Sequence, residues 1–311
     1  MTSLRALTKS VLDLVGLLQP AKGARRWCAE QLYQCYYRQR DVYRVQIYGK
    51  EIIFSTEDRY SGRWFFPRYN DRIHEPKVTE LFARVARDAK NIIDVGANLG
   101  WFTCIAASLS DGSVHAFELD RENLRRLHTN VALNGFQNVR ANHVAVTDSE
   151  GQVSYWKEAG SAGVDFSFTR GRNGEQEQIW VEATTLDRYT KDHCPSVDLI
   201  KIDADGAEQN ILEGGQWTIR EFHPHILLEV HPPRLQSSDT SVQKVLDMLP
   251  DTYRIYEVRN FRWRGELSHE SIDASAFDPN RNSMLYAEPP GRSVDDLPVP
   301  ARPLYEFPRR S

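Results

Sequence analysis

The chain has 311 residues, 41% of them hydrophobic, and its 39 basic and 43 acidic residues give a net charge of −4. This length allows one large α/β domain or two small ones, and the acidic balance gives no overall attraction to nucleic acid. No segment approaches the roughly 20 apolar residues that cross a bilayer, and the four cysteines show no metal-binding spacing. We therefore expect a cytoplasmic protein.

The first 90 residues are predicted to form an N-terminal extension. Apolar residues at helical spacing predict a helix over residues 4–18 with basic residues nearby. Packing of this helix on the domain, or on a second copy in a homodimer, is favoured over peripheral contact with a membrane. Residues 27–43 are rich in aromatic and basic side chains, which suit a packed helix or a nucleic-acid surface. A hairpin over 42–54 and an amphipathic helix over 78–86 complete the extension.

A strand, a glycine turn and a helix follow each other at residues 91–109. Residues 91–95 form an apolar run, and residues 101–109 return to helical spacing. Between them, Gly96 is expected to let the chain turn tightly against a ligand, and Gly100 to let the helix start close to the strand. This order is the first half of a nucleotide-binding βαβ unit.

Two acidic residues end neighbouring strands of this unit. Asp94 lies at the tip of the first strand, where a carboxylate can face an ammonium group, and Glu118 ends the second strand, where a ribose is held. S-adenosylmethionine (SAM) carries an amino-acid head and a ribose, so it suits both. A dinucleotide site would have glycine in place of Asn98. The alternative is a plain α/β turn with two solvated strand ends.

The remaining elements extend an α/β pattern to residue 288. A helix over 121–134 is capped by Asp120, and a third strand over 139–146 places Val144 and Ala145 where an adenine ring would lie. The glycine-rich loop 159–177 joins two strands of a hairpin and is either a lid or a surface insertion. The predicted domain spans residues 91–288, and the tail 289–311 is too poor in apolar residues to fold alone. Further strands are predicted at 197–202, 226–230, 253–258 and 283–287, with a helix near 242–249.

Acidic residues and one histidine follow the fourth and fifth strands. Because ligands of open parallel sheets bind at the carboxyl ends of the strands, these side chains are expected beside the cofactor. His231 is the first candidate for a general base, since its ordinary pKa of about 6.5 suits that work. A structural histidine is the alternative. Glu208 and Glu229 are the other candidates for base or orienting group, and Mg²⁺ binding by Asp203, Asp205 and Glu208 is disfavoured, so no metal is expected.

These motifs together resemble the FkbM-type family of SAM-dependent methyltransferases. The resemblance covers about half of the chain and implies a class I fold, a Rossmann-like, mostly parallel seven-stranded sheet with helices on both faces and an antiparallel last strand. It also implies O-methylation of sugars, glycans or secondary metabolites. The motifs are Ile93-Asp-Val-Gly-Ala-Asn98-x-Gly100, Ala116-Phe-Glu118, Asn130-x-x-x-Asn134-Gly, Thr185-Leu-Asp187, Leu199-Ile-Lys-Ile-Asp203-x-x-Gly206-Ala-Glu208 and Leu228-Glu-Val-His-Pro232.

The residues at the strand ends give the catalytic candidates His231, Glu229, Asp203 and Glu208. The resemblance implies SAM contacts at Asp94, Gly96, Asn98, Gly100 and Glu118, and an approach of Glu75 to the methionine end of SAM. Asp205 departs from the family, which usually has glutamate there. Its carboxylate is withdrawn by about one methylene, which argues against a role that requires the longer side chain. The expected SAM contacts are Glu75, Asp94, Gly96, Ala97, Asn98, Gly100, Glu118, Leu119, Val144, Ala145 and Asp203.

Two other functions compete with O-methylation of a small molecule or glycan. A nucleic-acid methyltransferase would share the cofactor site, but the Asp-Pro-Pro-aromatic type of loop is missing after strand four. A non-catalytic SAM-binding regulator would lack a productive acceptor edge, and His231 with its acidic neighbours argues against it. The acceptor itself is not readable from these patterns.

Overall fold

The computed structural model describes residues 41–58, 60–66, 73–158, 166–167, 176–237, 240–259, 261, 266–268, 281–297 and 305–306. The predicted helix 4–18, nearly all of the stretch 27–43, most of the loop 159–177 and much of the tail 289–311 lie outside these residues. In the ranges that are described, no helix is both long and apolar enough to cross a membrane.

The chain divides into two compact units. One comprises residues 1–41 and 56–70, and the other comprises residues 42–55 and 71–311. In the first, a π-helix at Ser61–Phe65 is preceded by Asp58, whose Oδ1 accepts the N–H of Ser61 at 3.1 Å. The domain boundaries predicted at residues 90 and 288 stay predictions.

A largely parallel sheet forms the centre of the second unit. Its strand order is β5-β4-β3-β10-β11-β14-β12-β13, and β14 runs antiparallel to both of its neighbours. The predicted mostly parallel sheet of seven strands with an antiparallel last strand is therefore confirmed, with a two-residue edge strand added. The bounds are β3 Asn91–Val95, β4 Ser113–Phe117, β5 Val139–Asn142, β10 Leu199–Ile202, β11 His225–Val230, β12 Arg254–Arg259, β13 Glu266–Leu267 and β14 Ser283–Glu288.

Helices cover both faces of this sheet, because its central strands are apolar on both sides. On β10, Ile200 and Ile202 face a large core formed with the helices that follow β9, whereas Lys201 faces the opposite side, next to Phe102. The helices are α1 Pro76–Ala86, α2 Trp101–Leu109, α3 Arg121–Leu133, α4 Leu186–His193, α5 Glu208–Glu213, α6 Gln216–Phe222, α7 Pro232–Ser237 and α8 Val242–Leu246.

The predicted third strand is interrupted. The chain leaves the main sheet after β5, and residues Ala145–Val146 (β6) pair in parallel with β9 of a second sheet of order β6-β9-β7-β8. The single strand predicted over 139–146 is therefore wrong, because β9 supplies the partner for its last two residues. The hairpin predicted around the glycine-rich loop is confirmed as β7 Gly151–Glu158 and β9 Gln176–Thr184, with β8 at Phe166–Ser167.

The predicted hairpin near the N-terminus is also confirmed. Strands β1 Val42–Ile47 and β2 Lys50–Ser55 are joined by Tyr48 and Gly49, both with positive φ, as a tight hairpin turn requires. Strand β1 pairs on its other edge with β15, Tyr305–Glu306.

The outer edge of β2 is hydrogen-bonded by two asparagines, Asn130 within α3 and Asn134 at its C-terminal cap. Asn134 Oδ1 accepts the N–H of Ile53 at 2.8 Å and its amide donates to the Ile53 carbonyl, while Asn130 Oδ1 accepts the N–H of Ser55 at 2.8 Å. The Asn130 amide also donates to the carbonyl of Leu99. The pair therefore fastens the hairpin to the loop that precedes α2.

Candidate active site

The glycine turn between β3 and α2 is held by backbone contacts. The N–H groups of Gly96 and Ala97 both donate to the carbonyl of Phe117 at 3.0 Å. Gly96 has φ +78°, and a Cβ there would lie 1.8 Å from the carbonyl oxygen of Asp203. The turn is tight, as predicted, and the neighbour that requires glycine here is the chain after β10. The close approach to a ligand stays a prediction.

Gly100 is also required for packing. Its φ is +91°, and a Cβ there would lie 2.5 Å from Cδ1 of Leu127 on α3. The close approach that this glycine allows is therefore between α2 and α3, not the predicted approach between helix and strand. Asn98, between the two glycines, also has a positive φ, of 52°.

Asp94 is buried at the end of β3. Thr103 Oγ1 donates to its Oδ2 at 2.6 Å, and its buried Oδ1 has no hydrogen-bond partner among the residues that the structure describes. Burial raises the pKa of Asp94, while Lys201 and Thr103 oppose that rise. A buried carboxylate oxygen without a donor fits the ammonium group of a bound amino-acid head.

Glu118 is buried at the end of β4 and is fixed by two backbone donors. Its Oε2 accepts the N–H of Asn98 and its Oε1 accepts the N–H of Asp120, each at 2.8 Å. Burial raises the pKa of Glu118 to about 7. The side chain of Asn123 also hydrogen-bonds this carboxylate. The lone pairs that remain fit hydroxyl donors such as those of a ribose.

The raised pKa of Glu118 predicts that SAM binding depends on pH. Hydroxyl donors bind an ionised carboxylate more strongly than a neutral one, so SAM affinity should fall as pH drops through about 7. We expect affinity to fall about threefold to tenfold between pH 8 and pH 6, measured by calorimetry. Glu118→Gln cannot titrate and should weaken the dependence. An equally steep profile in this variant would assign the pH effect to another group.

Glu75, Leu119, Val144 and Ala145 are the other residues predicted to contact the cofactor. Glu75 is buried, caps α1 with a positive φ of 43°, and is close enough to Lys201 to raise its pKa. Leu119 and Ala145 belong to a small apolar cluster below the second sheet, and the carbonyl of Leu119 contacts His143. Val144 packs against the main core. Their contact with an adenine ring stays a prediction.

The residues after β10 and β11 meet, as predicted, at one edge of the sheet. Nδ1 of His231 lies 2.8 Å from Oε1 of Glu208, and its Nε2 lies 3.3 Å from Oε1 of Glu229. Nε2 is also 3.6 Å from Asp205 and 3.9 Å from Asp203. We name these five residues the acceptor rim. The side chains of His231, Glu208 and Glu229 are buried, whereas that of Asp203 is 35% exposed.

This environment changes the expected protonation of His231. Burial lowers the pKa of His231, but hydrogen bonds to Glu208 and Glu229 and the charge of Asp203 raise it more, to about 11. The imidazole is thus protonated at neutral pH in this arrangement. The expectation that His231 has an ordinary pKa of about 6.5 is therefore wrong, and its role in catalysis stays a prediction.

Lys201 is a residue of the site that the sequence patterns did not single out. Its Nζ lies 3.6 Å from Oδ2 of Asp203 and 4.7 Å from the ring centroid of Phe102. Burial lowers the pKa of Lys201, but the surrounding carboxylates raise it more, so it stays charged. It lies directly beside Asp94 in the strand register and so links the cofactor side with the acceptor rim. The one signal in the sequence is a lysine inside an otherwise apolar strand.

Comparisons with known proteins bear on this geometry. Residues 94–262 match the model of the methyltransferase FkbM domain. None of the curated proteins compared gives a significant match.

Three solved structures show the range of similarity. The methyltransferase FkbM of Methylobacillus flagellatus KT is 15% identical over 82% of this chain, with a TM-score of 0.39, and this chain spans 50% of that protein. A candidate O-methyltransferase of Klebsiella pneumoniae is 15% identical over 89% of this chain and 94% of its own, with a TM-score of 0.41. The O-methyltransferase TomG of Streptomyces achromogenes, in complex with SAM, is 16% identical over 69% of this chain and 79% of its own, with a TM-score of 0.39.

The family match includes every strand tip described above, from Asp94 at the end of β3 to His231 after β11. It covers more than half of the 311 residues. The chain therefore belongs to the FkbM methyltransferase family.

Proposed function

We propose that this chain is a SAM-dependent O-methyltransferase that methylates a hydroxyl group of a sugar, glycan or secondary metabolite. The observation that carries the proposal is the pair of buried carboxylates, Asp94 and Glu118, at the tips of adjacent strands beside the glycine turn. They are next to an acidic edge at β10 and β11 that is partly open to solvent. In this proposal the cofactor lies against Asp94 and Glu118, and the methyl acceptor lies against the neighbouring ends of β10 and β11.

The chain's own residues divide the binding of SAM between them. Oδ1 of Asp94 would accept the ammonium group, and Glu118 would accept the two ribose hydroxyls. When bound, SAM supplies a methyl group on a positively charged sulfur. The buried carboxylates around Lys201 favour a positive charge on this side of the site.

The acceptor rim supports an oxygen acceptor. A hydroxyl must lose its proton when it is methylated, and a positioned base contributes about 10²–10⁴-fold to the rate. Asp203 is the most exposed carboxylate of the rim, so an acceptor that approaches this edge meets it first. Alignment of the acceptor oxygen contributes more, up to about 7–11 kcal/mol in favourable cases.

The experiment is a transfer assay with tritiated SAM against fractionated glycans and metabolites, next to calorimetry of SAM binding. The wild type should bind SAM and label an alkali-stable product. Asp94→Asn should weaken SAM binding about 10–100-fold, because one charge-assisted contact to the ammonium group is lost. Asp88→Asn, an exposed site after α1, is the matched control and should bind SAM like the wild type.

Two results would contradict the proposal. Absence of SAM binding by cofactor-stripped wild-type protein would reject the cofactor. Label found only on amino groups or nucleic acid would reject the hydroxyl acceptor.

A further inference from the structure

Three side chains of the acceptor rim meet in an arrangement that suits a metal ion. Asp203, Glu229 and His231 each offer one ligand atom, and these atoms lie within 4.8 Å of one another. Nε2 of His231 is 3.3 Å from Oε1 of Glu229 and 3.9 Å from Oδ1 of Asp203. Ligands at about 2.1 Å from one octahedral cation are separated by about 3 Å when adjacent and about 4.2 Å when opposite. Small side-chain rotations would give these separations.

A residue outside this set orients the histidine ring. Glu208 is fully buried. Its Oε1 accepts hydrogen bonds from Nδ1 of His231 at 2.8 Å and from the N–H of Gly206 at 3.0 Å. This contact makes Nδ1 a donor and directs Nε2 toward Asp203 and Glu229. Metal-binding histidines are held in the same way, with the second nitrogen on a carboxylate.

The second oxygen of Glu208 depends on positive charge nearby. Oε2 is buried and has no hydrogen-bond partner in the part of the chain that the structure describes. A buried carboxylate oxygen without a donor is costly unless a cation is near. Without an ion Nε2 is protonated, so a cation bound there would displace that proton to solvent and keep positive charge beside Glu208.

The charges of the rim also leave room for a cation. Among the residues that the structure describes, its four carboxylates lie close to Lys201, Arg234 and the protonated His231, and the first two lie to the side of the three ligand atoms. Nζ of Lys201 is next to Oδ2 of Asp203, and Nε of Arg234 is 3.3 Å from Asp205. Oδ1 of Asp203 is therefore the oxygen that faces His231.

We propose that Asp203, Glu229 and His231 bind one divalent first-row transition cation at the acceptor rim. This set differs from the Asp203, Asp205 and Glu208 group weighed from the sequence, and it replaces the expectation that no metal binds. Imidazole together with carboxylates favours Mn²⁺, Fe²⁺ or Zn²⁺ over Mg²⁺. Three protein ligands leave positions for water or an acceptor oxygen.

The ion would ease loss of the acceptor proton by drawing charge from the bound hydroxyl. This role rests on the proposed function, whereas binding of the ion does not.

The test is a titration of chelator-stripped, full-length protein with Mn²⁺, followed by the magnetic resonance signal of the free ion. One ion should bind per chain. The double variant Asp203→Asn with Glu229→Gln should lower Mn²⁺ affinity at least about 100-fold, and Glu208→Gln about 10–100-fold. The control is Glu213→Gln with Asp251→Asn, two exposed residues that remove the same charge elsewhere and should leave affinity unchanged.

Failure of this inference is distinguishable from failure of the proposed function. No binding of Mn²⁺ or Zn²⁺ by the wild type up to about 1 mM, or equal binding by the double variant, would overturn the site. Calorimetry with SAM on the same samples gives the second readout. Metal binding without SAM binding supports the site and contradicts the function, and SAM binding without metal binding does the reverse.

Discussion

Replacing Lys201 with methionine should lower the free energy of unfolding by about 3–5 kcal/mol. The side chain is buried, and its charge offsets the buried carboxylate of Asp94 and the partly buried carboxylate of Asp203. Methionine keeps the length and the packing against Phe102, so the change isolates the lost charge. An unpaired buried carboxylate costs several kcal/mol, far more than the lost contact of one methylene.

Urea unfolding at pH 8 and at pH 5.5 measures this effect. The defect should be smaller at the lower pH, because a carboxylate without its cation can be neutralised by a proton. Lys90→Met, at an exposed position before β3, is the matched control and should stay within about 0.5 kcal/mol of the wild type. A loss below about 1 kcal/mol in Lys201→Met would show that the buried carboxylates do not depend on this cation.

Gly96→Ala is expected to have the second large effect. A non-glycine residue at positive φ costs about 1–2 kcal/mol, and overpacking adds about 1–3 kcal/mol, so the total loss of unfolding free energy is about 2–5 kcal/mol. The overpacking arises because the new Cβ would overlap the carbonyl of Asp203, which is backbone and cannot rotate away. Any movement that relieves it separates β3 from the chain after β10.

Gly135→Ala separates the two contributions. Gly135 has a positive φ of 66°, but a Cβ there meets nothing within 4 Å. The free energy of unfolding of Gly135→Ala should therefore fall by only the conformational cost, about 1–2 kcal/mol, in the same experiment. Equal losses in the two variants would mean that the turn at Gly96 moves without resistance from Asp203.

The parts of the fold that follow from local patterns were predictable. The strand before Gly96 and the helix after it carry their own periodicity, and parallel strands place their carboxyl ends at one edge. Asp94, Glu118 and His231 could therefore be placed on the same side of the sheet before any coordinates were known. The third strand could not, because its last two residues, Ala145 and Val146, pair with β9, some 40 residues later.

Interactions between distant side chains account for the rest. Lys201 reads as one polar residue in a buried strand, and only the assembled sheet shows the carboxylates around it. The protonation of His231 depends in the same way on Glu208 and Glu229, which approach from α5 and β11. The residue that Gly96 must avoid, Asp203, is more than 100 positions away along the chain. Composition and spacing carry no information about such neighbours.

The asparagines in α3 and at its C-terminal cap have a consequence for where this protein can be shortened. The family match begins at residue 94. The side-chain amides of Asn130 and Asn134, however, hydrogen-bond backbone atoms of residues 53 and 55, which precede the matched segment. A chain that starts at residue 90 would keep both asparagines but lose the hairpin to which they are hydrogen-bonded. Asn130 also bonds the carbonyl of Leu99, beside the glycine turn, so this loop would lose part of its support. The early hairpin thus supports the loop between Gly96 and Gly100, and we expect a chain trimmed to the family boundary to bind SAM more weakly than the full chain.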